Sequence, residues 1–83
     1  KTKKILKILN IGRLTDQKDQ MTILKSMSLL KRDNILFKTN IIGSGNKYQE
    51  LKNYIKNKNL KNEIKLLGYK NKHEIVQIAI FKL

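Results

Sequence analysis

Cysteine, proline and tryptophan are absent from this 83-residue chain, and glycine occurs only four times. Without cysteine there is no disulfide, no thiolate metal site and no cysteine nucleophile, which fits a reducing compartment. His73 is the single histidine, so a histidine-based metal cluster is excluded too, and no metal is expected. No apolar run approaches the ~20 residues that span a bilayer. A signal-peptide pattern is missing as well, and the expected location is the cytoplasm. The first residue is Lys1 rather than methionine, which suggests a segment of a longer protein.

Acidic residues are also scarce. Six of them face nineteen Lys and Arg, for a formal net charge of +13. Such a balance predicts weak, nonspecific attraction to any polyanion. Specific nucleic-acid recognition is a poorer fit. The lysines are dispersed along the chain, and only Arg13 and Arg32 carry the guanidinium favoured for bidentate contacts.

The apolar residues that are present fall into an alternating order. Ile5, Leu6, Ile8, Leu9 and Ile11 form a nearly continuous run, as expected of a strand covered on both faces. Met21, Leu24, Met27 and Leu30, with Ile23 beside them, recur on one helical face between Asp19 and Leu30. A second strand is expected from Ile35, Leu36, Phe37, Ile41 and Ile42, followed by a helix with Asn46 at its cap and Tyr48, Leu51 and Ile55 on one face. Asn57 and Asn59 suit the end of that helix. A short third strand runs from Ile64 to Leu67. Asn71 and Glu74 then have capping-box spacing ahead of Ile75, Ile78 and Ala79.

Strands alternating with helices of this length demand parallel pairing through crossovers, which gives a three-stranded parallel portion of a Rossmann-like, doubly wound α/β sheet. A sheet of that size buries little, leaves an unpaired edge, and predicts marginal stability in isolation.

Each glycine, Gly12, Gly43, Gly45 and Gly68, follows an apolar strand run and precedes helix-opening sequence. In an open parallel sheet these turns share the carboxyl edge, where ligands bind. Gly12-Arg13-Leu14-Thr15-Asp16-Gln17-Lys18 there places two cations with four residues between them. Beside a helix amino end they suit a diphosphate, with Asp16 and Asp19 blunting nonspecific attraction; equally, they are two more basic surface residues. Gly43-Ser44-Gly45 shapes a turn that admits close contact, with Ser44 at most lining the cleft. It is not a dinucleotide fingerprint, because Tyr48 stands where the third glycine belongs. His73 reads as helix-start surface. Tyr48, Tyr54, Phe37 and Phe81 read as packing rather than a base-stacking platform.

Taken in order, ILNIGRLTDQKDQMTILKSMSLL and FKTNIIGSGNKYQELKNYIKNKNLKNEIKLLGY resemble the opening of the carboxyl-terminal domain of group 1 retaining nucleotide-sugar glycosyltransferases of the GT-B type. The resemblance covers Ile8 to about Gln77 and makes residues 1–83 a partial donor-nucleotide-binding domain. It implies that Arg13 and Lys18 hold the donor diphosphate, that Gly12, Gly43 and Gly45 form the cleft turns, and that Tyr69 and Lys70 belong to a nucleobase loop. Tyr69 is equally suited to packing. It further implies a nucleotide-sugar donor as substrate, with no cofactor and no metal.

In that family a fourth strand and a glycine-rich segment with two glutamates follow, and an acceptor-holding amino-terminal domain precedes. None of these is in the chain, whose match fades after Gln77. No complete catalytic set is therefore expected, and the isolated chain is expected to be inactive unless a separately encoded remainder joins it. The alternative is a small basic Rossmann-like binding module that associates with RNA or a partner protein.

Overall fold

The structure, a computed structural model, describes the backbone of residues 4–82 and the side chains of 4–80. The chain alternates β1 (Leu6–Ile11), α1 (Gln20–Arg32), β2 (Phe37–Ile42), α2 (Tyr48–Asn57), β3 (Ile64–Gly68) and α3 (Lys72–Gln77), with α3 continuing as a wider π-type turn over Ile78–Lys82. All three strands are parallel, in the spatial order β1-β2-β3. The expected α/β class and parallel sheet are therefore present.

One side of the sheet carries both crossover helices. Leu24 and Met27 of α1 and Leu51 and Ile55 of α2 share a core with Phe37, Ile41 and Ile64 of the strands, closed by Leu14 and Leu60 from the loops. The spacing of Leu24 and Met27, and of Leu51 and Ile55, turns one stripe of each helix inward. Thr39 is buried among them because its hydroxyl donates to the Met27 sulfur at 3.3 Å. On the other side, the buried Ile78 borders a cavity with Lys7, Asn40, Lys65 and Leu67 of the strands. The segment after β3 thus crosses to the second face.

Several local expectations need correction. Strand β1 is not covered on both faces: Leu6 and Ile11 are about half exposed. Because β2 takes the centre, β1 lies at an edge, with helices only on one side of it. Ile35 and Leu36 precede β2 and are exposed, so that strand begins at Phe37. Asn46 does not cap α2. Lys47 holds that place without any side-chain cap bond, and its own amide donates to the Leu14 carbonyl. Tyr48 is more exposed than Leu51 and Ile55, and lies beneath the Lys52 ammonium. The Phe81 side chain lies outside the described residues.

At the other helix ends the local chemistry is as expected. Asn59 takes a left-handed conformation (φ 57°) just beyond α2, which asparagine tolerates. At α3 the Asn71 side chain accepts from the Glu74 amide at 2.8 Å, while the Glu74 carboxylate accepts from the Asn71 amide at 3.0 Å. This reciprocal pair satisfies two otherwise orphaned donors.

Candidate functional site

The site forms where the three strands end together. The Gly12 amide donates to the Ile42 carbonyl at 3.0 Å, and the Gly43 amide donates to the Gly68 carbonyl at 2.8 Å, so the ladder continues through the glycine turns. Between β2 and β3 the register shifts: Ile41 pairs with Leu66 and Ile42 with Gly68. This bulge skips Leu67 and re-aims the end of β3 towards the other two turns.

Beyond the ladder, the first two loops are stitched main chain to main chain. Leu14 donates to the Ser44 carbonyl and Lys47 donates to the Leu14 carbonyl, both at 3.0 Å. Leu14 itself is buried in the core, which pins the loop to the protein beneath it. Gly43 and Gly45 admit the close contact expected of them, and what approaches is the chain itself. A Cβ on Gly43 would collide with the Gly12 carbonyl, and one on Gly45 with the Leu14 carbonyl.

A crevice of about 370 Å³ results, lined by Gly12, Arg13, Gly43, Ser44, Tyr69 and Lys70, with Ile11, Ile42 and Ile75 as its apolar wall. The Arg13 side chain is exposed and Lys70 is half-buried. Tyr69 is 75% exposed and therefore does not pack, the alternative open for it in the sequence. Among the described residues, the amide N–H groups of Arg13 and Ser44 make no hydrogen bond, and both residues border the crevice. Two cationic residues, Arg13 and Lys70, therefore border one concave space together with Ser44, a composition suited to an anion.

Two residues singled out in the sequence stand apart from that wall. Lys18 does not line the crevice, but its stem lies against the first turn, its Cδ 3.8 Å from where a Cβ on Gly12 would be. Gly45 faces Leu14 rather than the crevice. The acids are also engaged locally. Asp16 accepts from the Lys47 ammonium at 3.1 Å, and Glu50 stands 3.7 Å from the same nitrogen. The hydrogen bond to Asp16, then the charges of Asp16 and Glu50, raise the Lys47 pKa above the usual lysine value. Asp19, in a left-handed conformation (φ 49°), caps α1 by accepting from the Thr22 hydroxyl at 2.8 Å and its amide at 3.4 Å. The first turn of α1 is thus already partly satisfied.

Two polar residues escaped the sequence reading. Gln20 is 2% exposed, and its Nε2 donates to the Arg13 carbonyl at 2.7 Å. Its spacing to Leu24 and Met27 put it on the buried stripe of α1, a signal masked by its polarity. Asn10 interrupts β1 in the sequence, and its buried Oδ1 has no partner among the described residues. No cluster of three or more His, Cys, Asp or Glu occurs among the described residues, and His73 is exposed on α3. No helix of the described residues is long and apolar enough to cross a membrane.

The same chain can be compared with known proteins. A family model described as glycosyl transferases group 1 matches residues 1–80. Over 70 residues, 84% of the chain, it is 34% identical to the amylovoran biosynthesis glycosyltransferase AmsK of Erwinia amylovora, of which it covers 17%. The fold is similar to that of a mutant of S. aureus TarM, solved in complex with fondaparinux, alpha-GlcNAc-glycerol and UDP. The TM-score is 0.70 at 28% identity, over 77% of this chain and 13% of that one. The chain therefore spans less than a fifth of either relative.

Proposed function

The chain belongs to the group 1 glycosyl transferases, and from that premise we propose that it supplies the first part of a nucleotide-sugar donor site, binding the donor diphosphate at the glycine turns. The observation that carries this is the convergence of Arg13, Ser44 and Lys70 on one crevice at the ends of all three strands. Lys18, against Gly12, adds a further positive charge next to the same turn.

Glycosyl transfer from a nucleotide sugar leaves a diphosphate whose negative charge grows as the sugar bond breaks. Donors and cations fixed before the reaction stabilise that charge most where water is excluded. In this reading Arg13 and Lys18 bind the diphosphate, neither a cofactor nor a metal is required, and the sugar is transferred with retention. The turn at Tyr69 and Lys70 lies beside the nucleobase. Acceptor and sugar contacts come from other segments of the enzyme, so these residues alone bind donor nucleotide without transferring sugar.

UDP, GDP and ADP titrated into the isotopically labelled chain at moderate salt test this. The expected result is saturable amide shifts confined to Gly12–Lys18, Gly43–Gly45 and Tyr69–Lys70, lost in Arg13→Ala, with one base preferred. Shifts spread over lysines throughout the chain and abolished by salt would overturn it in favour of general polyanion binding.

A further inference from the structure

We infer that Gln20 is a positioning residue for the donor diphosphate: its buried side-chain amide closes the loop that carries Arg13 and Lys18 and sets where they stand. This rests on the donor-site reading above and assigns a role to a residue outside the crevice wall.

The hydrogen bond from Gln20 Nε2 to the Arg13 carbonyl, 2.7 Å, spans seven residues. It joins the first residue of α1 to the turn after β1, so both cations lie on the segment it closes. Gln20 Nε2 is also 3.8 Å from where a Cβ on Gly12 would be, level with the Lys18 stem. The amide orientation follows from chemistry, since the opposite one would set two acceptors against each other.

Packing alone does not account for an amide at this position. Gln20 Oε1 is buried without a hydrogen-bond partner among the described residues. An unsatisfied acceptor opposes folding, whereas an apolar side chain of similar size would fill the same space without that cost. What glutamine adds is a donor aimed at the Arg13 carbonyl. Apart from Gln20, the Arg13 peptide has only a local bond, its carbonyl accepting from the Thr15 amide at 3.0 Å; the Gly12 and Leu14 amides on either side are bonded to β2 and its loop, while the Arg13 amide makes no bond. Removing the Gln20 donor leaves the Arg13 carbonyl with only the local Thr15 bond and no tether to α1, and the guanidinium loses a fixed origin.

Gln20→Met keeps the volume and removes the donor. UDP and uridine are titrated into wild type and variant by amide shift, with thermal unfolding measured on both. The expected outcome is UDP affinity weakened roughly 3- to 10-fold, uridine affinity unchanged, and an intact spectrum. A general loosening would instead weaken both ligands together and overturn the positioning role. Equal UDP affinity in variant and wild type would overturn it too, while leaving the donor site standing. Gln20→Glu keeps the assay informative if the methionine variant unfolds: at pH 8 its carboxylate repels the Arg13 carbonyl, so UDP binding should fall as in Gln20→Met. Unchanged UDP binding in folded Gln20→Glu would count against the inference. If wild type fails to bind UDP, the donor-site reading falls and this inference with it.

Discussion

The carbonyl of Gly12 occupies the space into which a side chain on Gly43 would project: a Cβ there would come within 2.9 Å of the Gly12 carbonyl carbon and closer still to its oxygen. The two turns are therefore mutually dependent. Gly43 has a φ of 144°, which disfavours an L side chain independently of the collision. Its obstacle is backbone held in the ladder, with no flexible side chain to swing aside.

Gly43→Ala is accordingly expected to destabilise the protein by about 2–4 kcal/mol, because strain and overlap act together. Gly45→Ala meets the Leu14 carbonyl in the same way and should behave similarly. Chemical denaturation checks both. Gly68→Ala is the contrast: nothing lies within 4 Å of its added Cβ, so only its positive φ of 78° is penalised and the loss should be smaller.

Lys70 borders the crevice, whereas Lys18 is not among its lining and rests its stem against Gly12. Lys70→Ala should therefore weaken UDP binding at least as much as Lys18→Ala, roughly 3- to 10-fold for loss of one charged contact to the nucleotide. Both variants should keep stability within about 0.5 kcal/mol, as surface substitutions do. Amide-shift titration and thermal unfolding separate the two effects.

Lys47 ties the β1 loop to α2 through Asp16 and Glu50. Its pKa is raised in the folded protein, so the contribution is fully present below the unfolded lysine value of about 10.4 and is lost as pH rises through the folded value. Asp16→Ala removes the two largest causes, the hydrogen bond to Asp16 and its charge, and should bring the Lys47 pKa back towards the usual lysine value. A titration of the lysine side-chain signals between pH 9 and 12 reads this directly.

Asn71→Ala removes one half of the capping box at α3 and should cost about 1 kcal/mol. The loss should be local, appearing as faster amide exchange at Ile75 and Ile78 with little change across β2. Exchange accelerated equally in β2 would mean that α3 and the sheet open as one unit.

The sequence by itself determined the order of elements, because apolar periodicity and turn chemistry are local properties. The run Phe37 to Ile42, the stripe Leu24–Met27, the Asn71–Glu74 box and the four glycines at strand ends were all readable without a fold. So was the family, through the ordered glycine, arginine and lysine positions of the first turn and the Gly43–Gly45 pair.

Tertiary structure alone decided what those glycines touch and which polar groups are used. Gly43 and Gly45 lie against Gly12 and Leu14 only once β1 and β2 pair in register. Asn46 loses the expected cap because Leu14, distant in sequence, accepts from the Lys47 amide. Strand β1 is half bare because strand order, not composition, makes it an edge. Gln20 joins the turn because helix α1 folds back over it, bringing an amide to a carbonyl seven residues away. Local sequence reports which conformations a segment favours; which donor meets which acceptor depends on segments that meet only after folding.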